Sequence, residues 1–373
     1  MKKVRILICG ILPPPYFGHS MTYKVLMESP FVHAYDVVFF NIKFWSYQKH
    51  KKITAKKLFQ LMYYYFKYIF LILTRRPRYV LYGISFDKMP LVKDFLFCIT
   101  GRALGCRIIL HDMGQYLREL YAVSGPFYQW VIRRLMSVVT ASIILGEKTR
   151  SVYAGLLEAK RVIVVAGAVS DTRVIASNAP KTTASHGAVH VLYFSFLSVS
   201  KGIWTALKAI PRIVSKNPNV RFTLAGPVES DDLLDQINKF ISEHDMGSHV
   251  KYIGYVGDDD ARVKCFREAD IFMFPTHRDV FGLVLLHAMA EGVAVVASRE
   301  GSIPEIIEDG ENGFLFPKGD ETQLADRILS LAGNPGLRQA MGQKNREKFL
   351  RMYTPERLGQ RMIQAFDEIL LME

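Results

Sequence analysis

The chain alternates short β-branched or aromatic runs with longer segments of helical pattern, and it does so in two successive series. Strands separated by helix-length segments indicate a parallel sheet covered by helices on both faces. The first half of the chain is therefore predicted to be an α/β domain. Its six strand-like runs are VRILICGI, YDVVFFNI, RYVLYGI, RIILHD, ASIILG and RVIVVAGAV.

A polar stretch separates the two series. SDTRVIASNAPKTTASHGA, which begins at Ser170, has small and polar residues without an apolar period and is interpreted as a linker. A chain of 373 residues is expected to form two domains. We predict a Rossmann-like domain over residues 1–170, a second over 188–350, and a C-terminal helix over 351–373 that packs back on the first. The second series reads HVLYFSF, VRFTLAGP, VKYIGYV, DIFMFPT, VAVVAS and GFLFP.

The net charge of +13 favours an anionic partner, and its distribution narrows the choice. No acidic residue occurs between Asp36 and Asp87, while aromatic residues interleave with lysines and arginines over residues 43–78. Basic residues with interfacial aromatics predict contact with an anionic membrane surface, and a solvated basic face is the alternative. Nucleic acid is disfavoured as a partner because no recognition motif accompanies the charge.

The chain is expected to act in the cytoplasm, peripherally on the inner face of the cytoplasmic membrane. Its start lacks the cleavage site of a secretory signal, and its four cysteines show no ligand spacing, which is typical of reduced thiols. The longest apolar run, LFQLMYYYFKYIFLILT from Leu58 to Thr74, carries Lys67 near its middle. It is therefore interpreted as a buried or interfacial helix rather than a membrane span.

In the first domain, the loop LPPPYFGHSMT follows the first strand and precedes a helix. Gly18 and the N–H groups after it can face a phosphate at the helix start, with a proline-stiffened turn as the alternative. The loop is not GxGxxG, and the second strand ends in Asn41 rather than an acidic residue. A nicotinamide dehydrogenase is therefore disfavoured.

In the second domain, two segments carry candidate chemistry. SVSKGIW places Lys201 and Gly202 between a strand and a helix, where an ammonium can bind a diphosphate, although loop lysines are often only solvated. In FPTHRDVFGLVLLHAMAEG, Asp279 is the predicted cap of a helix starting near Val280 or Phe281. Gly282 in its first turn indicates close approach by an anion.

These motifs, together with LAGP and the run FGLVLLHAMAEGVAVVASREGSIPEIIEDGENGFLFPKGD, resemble the family 4 retaining glycosyltransferases. The resemblance is specific over residues 188–333 and looser before them. It implies the GT-B fold, an α/β architecture of two doubly wound Rossmann-like domains facing across a cleft, with a C-terminal helix crossing back to the first. It also implies transfer of a sugar from a UDP- or GDP-linked donor to an acceptor. The expected acceptor is a lipid-linked saccharide in bacterial surface polysaccharide synthesis, and neither cofactor nor metal is expected.

The resemblance also implies roles for individual residues. The family frames its helix with two glutamates separated by seven residues, and here the frame is Asp279, VFGLVLL, His287. A neutral imidazole offers one acceptor and one donor, so His287 can hold one ribose hydroxyl but cannot clamp two. Phe196 stands where the family usually has an arginine. The implied catalytic residues are His111, Lys201 and Asp279, and the implied donor-binding residues are Gly18, Lys201, Gly202, Arg278, Phe281, Gly282, Leu283 and His287.

Two other functions fit the same fold. A catalytically silent protein that binds a sugar, a nucleotide or a partner enzyme as a scaffold is the alternative, and His287 and Phe196 are its evidence. A nucleotide-sugar epimerase fits less well, because the KG and FG motifs follow the transferase pattern.

Overall fold

The computed structural model describes residues 3–14, 16–43, 55–84, 88–114, 117–170 and 187–372. The chain divides into two units: unit 1 is Met1–Ala168 with Pro355–Glu373, and unit 2 is Val169–Thr354. Each unit contains a six-stranded sheet in which every described strand pair is parallel. The predicted α/β fold class, with two doubly wound sheets, is confirmed.

The sheet of unit 1 has the strand order β2-β1-β3-β4-β5-β6. The order reverses at β1 and β3, so the loops that leave these two strands diverge to opposite faces. Its strands are nearly continuous apolar runs, as expected where helices cover both faces. The strands are β1 (Arg5–Gly10), β2 (Asp36–Asn41), β3 (Tyr79–Ile84), β4 (Arg107–Asp112), β5 (Val139–Ile144) and β6 (Val162–Val164).

The helices of unit 1 include the last helix of the chain. They are α1 (Gly18–Met27), α2 (Phe31–Ala34), α3 (Ala55–Arg75), α4 (Lys88–Ala103), α5 (Leu117–Val123), α6 (Pro126–Val138) and α14 (Pro355–Leu371), with 3₁₀ turns at Glu147–Tyr153 and Ala159–Arg161. The crossovers through α3, α4 and α6 run in the same direction along the sheet. Because such crossovers are right-handed, these three helices share one face, and α1 covers the other.

The helix α14 packs against α1 and α2 within unit 1. Phe366 lies 5.2 Å from Phe31 and 5.5 Å from Tyr35, measured between ring centroids. A Cβ on Gly359 would lie 2.6 Å from Pro30 Cδ, so the two helices approach closely there. Residues 351 and 352, which the sequence assigned to this helix, instead end the preceding one.

The sheet of unit 2 has the order β12-β11-β10-β7-β8-β9, which reverses at β7 and β10. Its strands are β7 (Val189–Phe194), β8 (Val220–Ala225), β9 (Val250–Tyr252), β10 (Ile271–Phe274), β11 (Ala294–Ser298) and β12 (Gly313–Phe316). Its helices are α7 (Ile203–Lys216), α8 (Asp231–Glu243), α9 (Asp259–Glu268), α10 (Leu283–Ala290), α11 (Ile303–Ile306), α12 (Glu321–Ala332) and α13 (Pro335–Met352), with a 3₁₀ turn at Val199–Lys201.

All four cysteines are free thiols. Among the described residues, no helix combines the length and the apolar character that a bilayer crossing requires.

Candidate active site

The loops after β7 and β10 leave the sheet of unit 2 where its strand order reverses. In open α/β sheets, ligands bind at the carboxyl ends of the strands beside such a reversal. The first loop, residues 195–202, carries the predicted Lys201 and Gly202, and the second, residues 275–282, carries Arg278, Asp279, Phe281 and Gly282. The sheet topology therefore brings most of the predicted donor-binding residues to one edge.

Lys201 and Asp279 form an ion pair across these two loops. The Lys201 Nζ lies 2.5 Å from Asp279 Oδ2, and the two side chains are only 26% and 16% exposed. The same ammonium donates to the Arg278 carbonyl oxygen at 3.2 Å. Asp279 thus fixes the position of the one lysine that the sequence assigned to a diphosphate.

The second oxygen of Asp279 closes a turn before α10. Its Oδ1 accepts the N–H of Gly282 at 2.8 Å, and α10 begins at Leu283 with Gly282 as its N-cap. The prediction that Asp279 caps a helix starting at Val280 or Phe281 was therefore wrong, because the carboxylate stabilises a turn that postpones the helix. Of the N–H groups predicted to face an anion at Phe281, Gly282 and Leu283, that of Gly282 already has a protein partner.

Two glycines of the site are explained by backbone geometry. Gly282 has φ 75° and Gly202 has φ 73°, both in the left-handed region that favours glycine. A Cβ on Gly202 would lie 1.8 Å from the Pro275 carbonyl oxygen. The sequence attributed each glycine to close approach by a ligand, but at Gly202 the approaching group is the loop after β10.

Backbone hydrogen bonds fasten the two loops to each other. The N–H groups of His277 and Arg278 both donate to the Ser200 carbonyl oxygen, at 2.9 and 3.0 Å. The His277 ring bonds Thr205 on α7 through Nε2, at 2.8 Å from Oγ1. Burial lowers the pKa of His277, and nearby Lys318 lowers it further. Ser200, His277 and Thr205 were not predicted from the sequence, because none of them belongs to a recognisable motif.

A third loop, after β11, joins the same edge. The Ser302 N–H donates to the Val280 carbonyl oxygen at 2.9 Å, and a Cβ on Gly301 would lie 2.1 Å from the Asp279 carbonyl oxygen. Lys318 follows β12, where its Nζ lies 3.1 Å from both Glu300 Oε2 and the His277 carbonyl oxygen. Lys201, Lys318 and the exposed Arg278 therefore place three basic residues on loops that are hydrogen-bonded to one another at this edge.

His287 lies on α10 and faces α9. Its ring centroid is 6.0 Å from that of Phe266, and its Nδ1 is buried without a hydrogen-bond partner among the described residues. Burial lowers the pKa of His287 to about 3, and the Arg262 charge adds to this while Asp259 opposes it. The imidazole is therefore neutral at physiological pH.

Arg262 on α9 was not predicted from the sequence, yet its positive charge helps to lower the pKa of His287. Its guanidinium pairs with Asp259, and its Nε is buried without a hydrogen-bond partner among the described residues. The arginine and histidine therefore bury one donor and one titratable nitrogen in the same region of unit 2. Phe196, which stands in place of an arginine, is 44% exposed.

In unit 1, His111 lies at the carboxyl end of β4 and is 3% exposed. Its ring packs edge-on against Tyr23 of α1, with a centroid distance of 5.4 Å. Neither His111 Nδ1 nor Tyr23 Oη has a hydrogen-bond partner among the described residues. Burial, with a contribution from His19, lowers the pKa of His111 to about 3, so this ring is also neutral.

Its neighbour Asp112 is fully buried, and its hydrogen bonds stabilise the folded structure. Its carboxylate accepts from the Tyr153 hydroxyl at 2.6 Å and from the Gly114 N–H at 2.8 Å. Burial raises the pKa of Asp112 to about 7, although both hydrogen bonds oppose the shift.

Gly18 is exposed as the first residue of α1, after the loop that leaves β1.

Only part of the predicted membrane-contacting segment 43–78 can be placed. Residues 44–54, with Phe44, Trp45, Tyr47, Lys49, Lys51 and Lys52, lie outside the described residues. The described residues do include the following basic residues of the segment: Lys43, Lys56, Lys57, Lys67, Arg75, Arg76 and Arg78.

The described residues contain no group of three or more potential metal ligands.

Comparison with known proteins agrees with this geometry. Residues 175–348 match the family model described as Glycosyl transferases group 1. These residues are thus similar to the group 1 glycosyl transferases over a little under half of the chain. The match covers nearly all of unit 2, including the Lys201 and Asp279 pair.

Relatives and solved structures extend the likeness. Glycogen synthase of Mycobacterium tuberculosis is 27% identical over 267 residues, which are 71% of this chain and 59% of that protein. Phosphatidyl-myo-inositol mannosyltransferase of the same organism is 33% identical over 144 residues, 37% of this chain and 36% of that protein. The chain thus spans less than two thirds of the length of these relatives. The structure of Anabaena Alr3699/HepE in complex with UDP and glucose is similar with a TM-score of 0.71 at 14% identity, covering 98% of this chain and 99% of that one. This likeness shows the fold, which is that of the GT-B glycosyltransferases.

Proposed function

We propose that this protein is a retaining glycosyltransferase that moves a sugar from a nucleoside-diphosphate donor to a lipid-linked saccharide. The observation that carries the proposal is the Lys201 and Asp279 ion pair at the strand-order reversal of a group 1 glycosyltransferase domain. A fixed ammonium at that edge suits the negative charge that develops on a leaving diphosphate.

In this proposal the cations of the edge act on the diphosphate. Lys201 bonds a phosphate oxygen, while Asp279 positions Lys201 and does not itself touch the substrate. Arg278 and Lys318 add positive charge, which offsets the arginine that Phe196 replaces. Because the ammonium groups of Lys201 and Lys318 are already held by carbonyl and carboxylate oxygens, little reorganisation accompanies charge transfer to the leaving group.

His287 and Arg262 replace the ribose clamp of the family in this proposal. A neutral His287 accepts at Nδ1 when the proton is on Nε2, and the Arg262 Nε–H donates. One hydroxyl can accept from the arginine and donate to the histidine, which satisfies both buried atoms. The site therefore holds a single ribose hydroxyl where a carboxylate would hold two.

The acceptor side is assigned to unit 1. The neutral His111 and Tyr23 at the carboxyl edge of its sheet can bond a sugar hydroxyl, and Gly18 opens the neighbouring helix. A relative named for mannosyl transfer to phosphatidyl-myo-inositol supports a lipid acceptor. We infer that the enzyme works peripherally on the inner face of the cytoplasmic membrane, with its basic and aromatic segment 43–78 towards anionic lipid.

One observation favours a second function. His287 and Phe196 both depart from the residues that hold a nucleotide sugar in the family, as expected of a protein that binds a sugar, nucleotide or partner enzyme without turnover. Such a scaffold would bind nucleotide sugar or saccharide yet transfer nothing.

A thermal-shift screen against UDP- and GDP-sugars, followed by a transfer assay with the best ligand, separates these functions. We expect one nucleotide sugar to raise the melting temperature, and that donor to be consumed when lipid-linked saccharides are supplied. Stabilisation without transfer to any acceptor would favour the scaffold. No stabilisation of a well-folded sample by any nucleotide sugar would contradict the proposed function.

A further inference from the structure

Helix α3 carries an exposed stripe of large apolar side chains. They recur at helical spacing along one side, while Tyr68 and Ile72 on the opposite side are buried in the core of unit 1. Phe59, Phe66 and Phe70 are 76%, 61% and 63% exposed, far from the burial expected of phenylalanine. We call these residues the α3 stripe: Leu58, Phe59, Met62, Tyr63, Phe66, Phe70 and Leu73.

The α3 stripe is a continuous apolar surface rather than a few isolated exposed side chains. Its rings leave a shallow groove lined by Phe59, Met62, Tyr63, Phe66, Lys67 and Phe70. A contiguous apolar patch of this kind marks an interaction surface in a protein that is otherwise well packed. The neighbouring helices on the same face of the sheet also expose apolar side chains, Val92 and Leu96 of α4 and Phe127 and Trp130 of α6.

The exposed charges on this helical layer are all positive. Helices α3, α4 and α6 contain one acidic residue between them, Asp94, which is buried and paired with Lys93. Lysines and arginines are exposed on all three helices. The Lys67 ammonium lies 5.7 Å from the centre of the Tyr63 ring, so a cation also occurs beside the aromatic groove.

We propose that the α3 stripe binds the surface of an anionic lipid bilayer, with the helix axis lying in the membrane plane. Apolar rings enter the boundary between headgroups and acyl chains, and the flanking lysine and arginine side chains reach lipid phosphates. A second copy of this chain is disfavoured, because two such faces would bring like charges together. The inference rests on the proposed function only in that a lipid-linked acceptor needs this docking.

Co-sedimentation with vesicles tests the surface. Vesicles of phosphatidylcholine with phosphatidylglycerol are compared with vesicles of phosphatidylcholine alone, using the full chain and the variant Phe59→Gln/Phe66→Gln/Phe70→Gln. We expect the unaltered protein to bind the anionic vesicles roughly tenfold more strongly. We expect the triple variant to lose roughly a hundredfold in affinity for them.

Two controls make the result specific. Leu371→Gln removes another highly exposed apolar side chain, 87% exposed on unit 1, and should bind vesicles as the unaltered protein does. Circular dichroism and the melting temperature check that the triple variant folds. Equal vesicle binding by the triple variant would overturn the proposal. So would a dimer in sedimentation equilibrium that the triple variant converts to a monomer.

Donor binding separates this inference from the proposed function. The triple variant should bind UDP- or GDP-sugar in a calorimetric titration as the unaltered protein does. If vesicles bind through the α3 stripe while no nucleotide sugar binds, the surface stands and the transferase proposal fails. If donor binds but anionic vesicles do not, the surface proposal alone fails.

Discussion

The carboxyl edges of the two sheets hold polar groups of opposite character. In unit 1, His111 and Tyr23 are buried and neutral, and the carboxyl group of Asp112 is tied to Tyr153 and Gly114. In unit 2, a part-exposed lysine is held by a carboxylate, and two further cations lie on adjoining loops. Sheets with the same parallel construction thus present a neutral edge and a cationic one.

The difference indicates which substrate each edge suits. A diphosphate is strongly hydrated, and a pre-positioned ammonium compensates for the water that it loses. An uncharged sugar hydroxyl needs only a donor or an acceptor, which a buried neutral imidazole supplies. Fold likeness alone does not assign these roles, since both sheets are doubly wound.

The strongest way to break the cationic edge is to separate its loops. Gly202→Ala places a Cβ about where the Pro275 carbonyl oxygen lies and forces alanine to a positive φ. We expect a loss of about 3 kcal/mol in the free energy of unfolding, measured by chemical denaturation. Gly333→Ala is the control, because that Cβ meets only the Leu329 carbonyl oxygen at 3.5 Å. An unchanged free energy of unfolding in Gly202→Ala would mean that the two loops are not closely packed.

The ion pair can be removed while its turn is kept. Asp279→Asn leaves an oxygen for the Gly282 N–H but presents an uncharged amide to Lys201. We expect kcat/KM for the donor to fall roughly tenfold, because the ammonium is no longer held in place. In Asp279→Ala, which loses the contacts with both Lys201 and Gly282, kcat/KM should fall further. Donor kinetics of Asp279→Asn equal to those of the unaltered protein would show that Lys201 needs no positioning.

The neutral edge is tested by pH. The pKa of His111 is lowered to about 3, and that of an unfolded histidine is about 6.5. The unfolded state therefore binds a proton first, and stability falls as the pH drops below about 6.5. We expect His111 to account for a loss of about 1 kcal/mol between about pH 7 and pH 5.5.

Comparing His111→Gln with the unaltered protein isolates this contribution. Asp112 has the opposite effect on stability, because its pKa is raised to about 7 in the folded protein. Its carboxyl group therefore lowers the free energy of unfolding as the pH rises towards neutrality. That term is common to both proteins and cancels in their difference. If the difference in unfolding free energy did not change over this pH range, His111 would not be a buried neutral base.

The residue at the ribose position can be changed back to the glutamate of the family. His287→Glu restores two acceptor oxygens beside the Arg262 cation, which offsets part of the cost of burying a carboxylate. We expect nucleoside diphosphate to bind about threefold more tightly in a calorimetric titration. His287→Gln, which is uncharged, should bring no gain. Weaker binding by His287→Glu would show that this position does not face the ribose.

Much of the fold could be predicted from the sequence, because strand-like runs such as RIILHD and VAVVAS are buried and end where the pattern ends. The start of α10 could not, since Asp279 accepts from the Gly282 N–H and delays the helix. Gly202 was recognised as a close-approach glycine, but the carbonyl of Pro275, 73 residues further along the chain, could only be found in three dimensions. Arg262 was missed because its effect on His287 is electrostatic and follows from the fold rather than from a sequence motif.

We propose that the cationic edge of unit 2 binds a nucleoside diphosphate through Lys201. Calorimetric titration of UDP and GDP into the unaltered protein and Lys201→Met tests it most directly, with Lys208→Met, an exposed lysine of α7, as the control. We predict that one of the two nucleotides binds, that Lys201→Met weakens this binding roughly a hundredfold, and that Lys208→Met leaves it unchanged. Equal binding by folded Lys201→Met and unaltered protein would show that Lys201 does not bind the diphosphate.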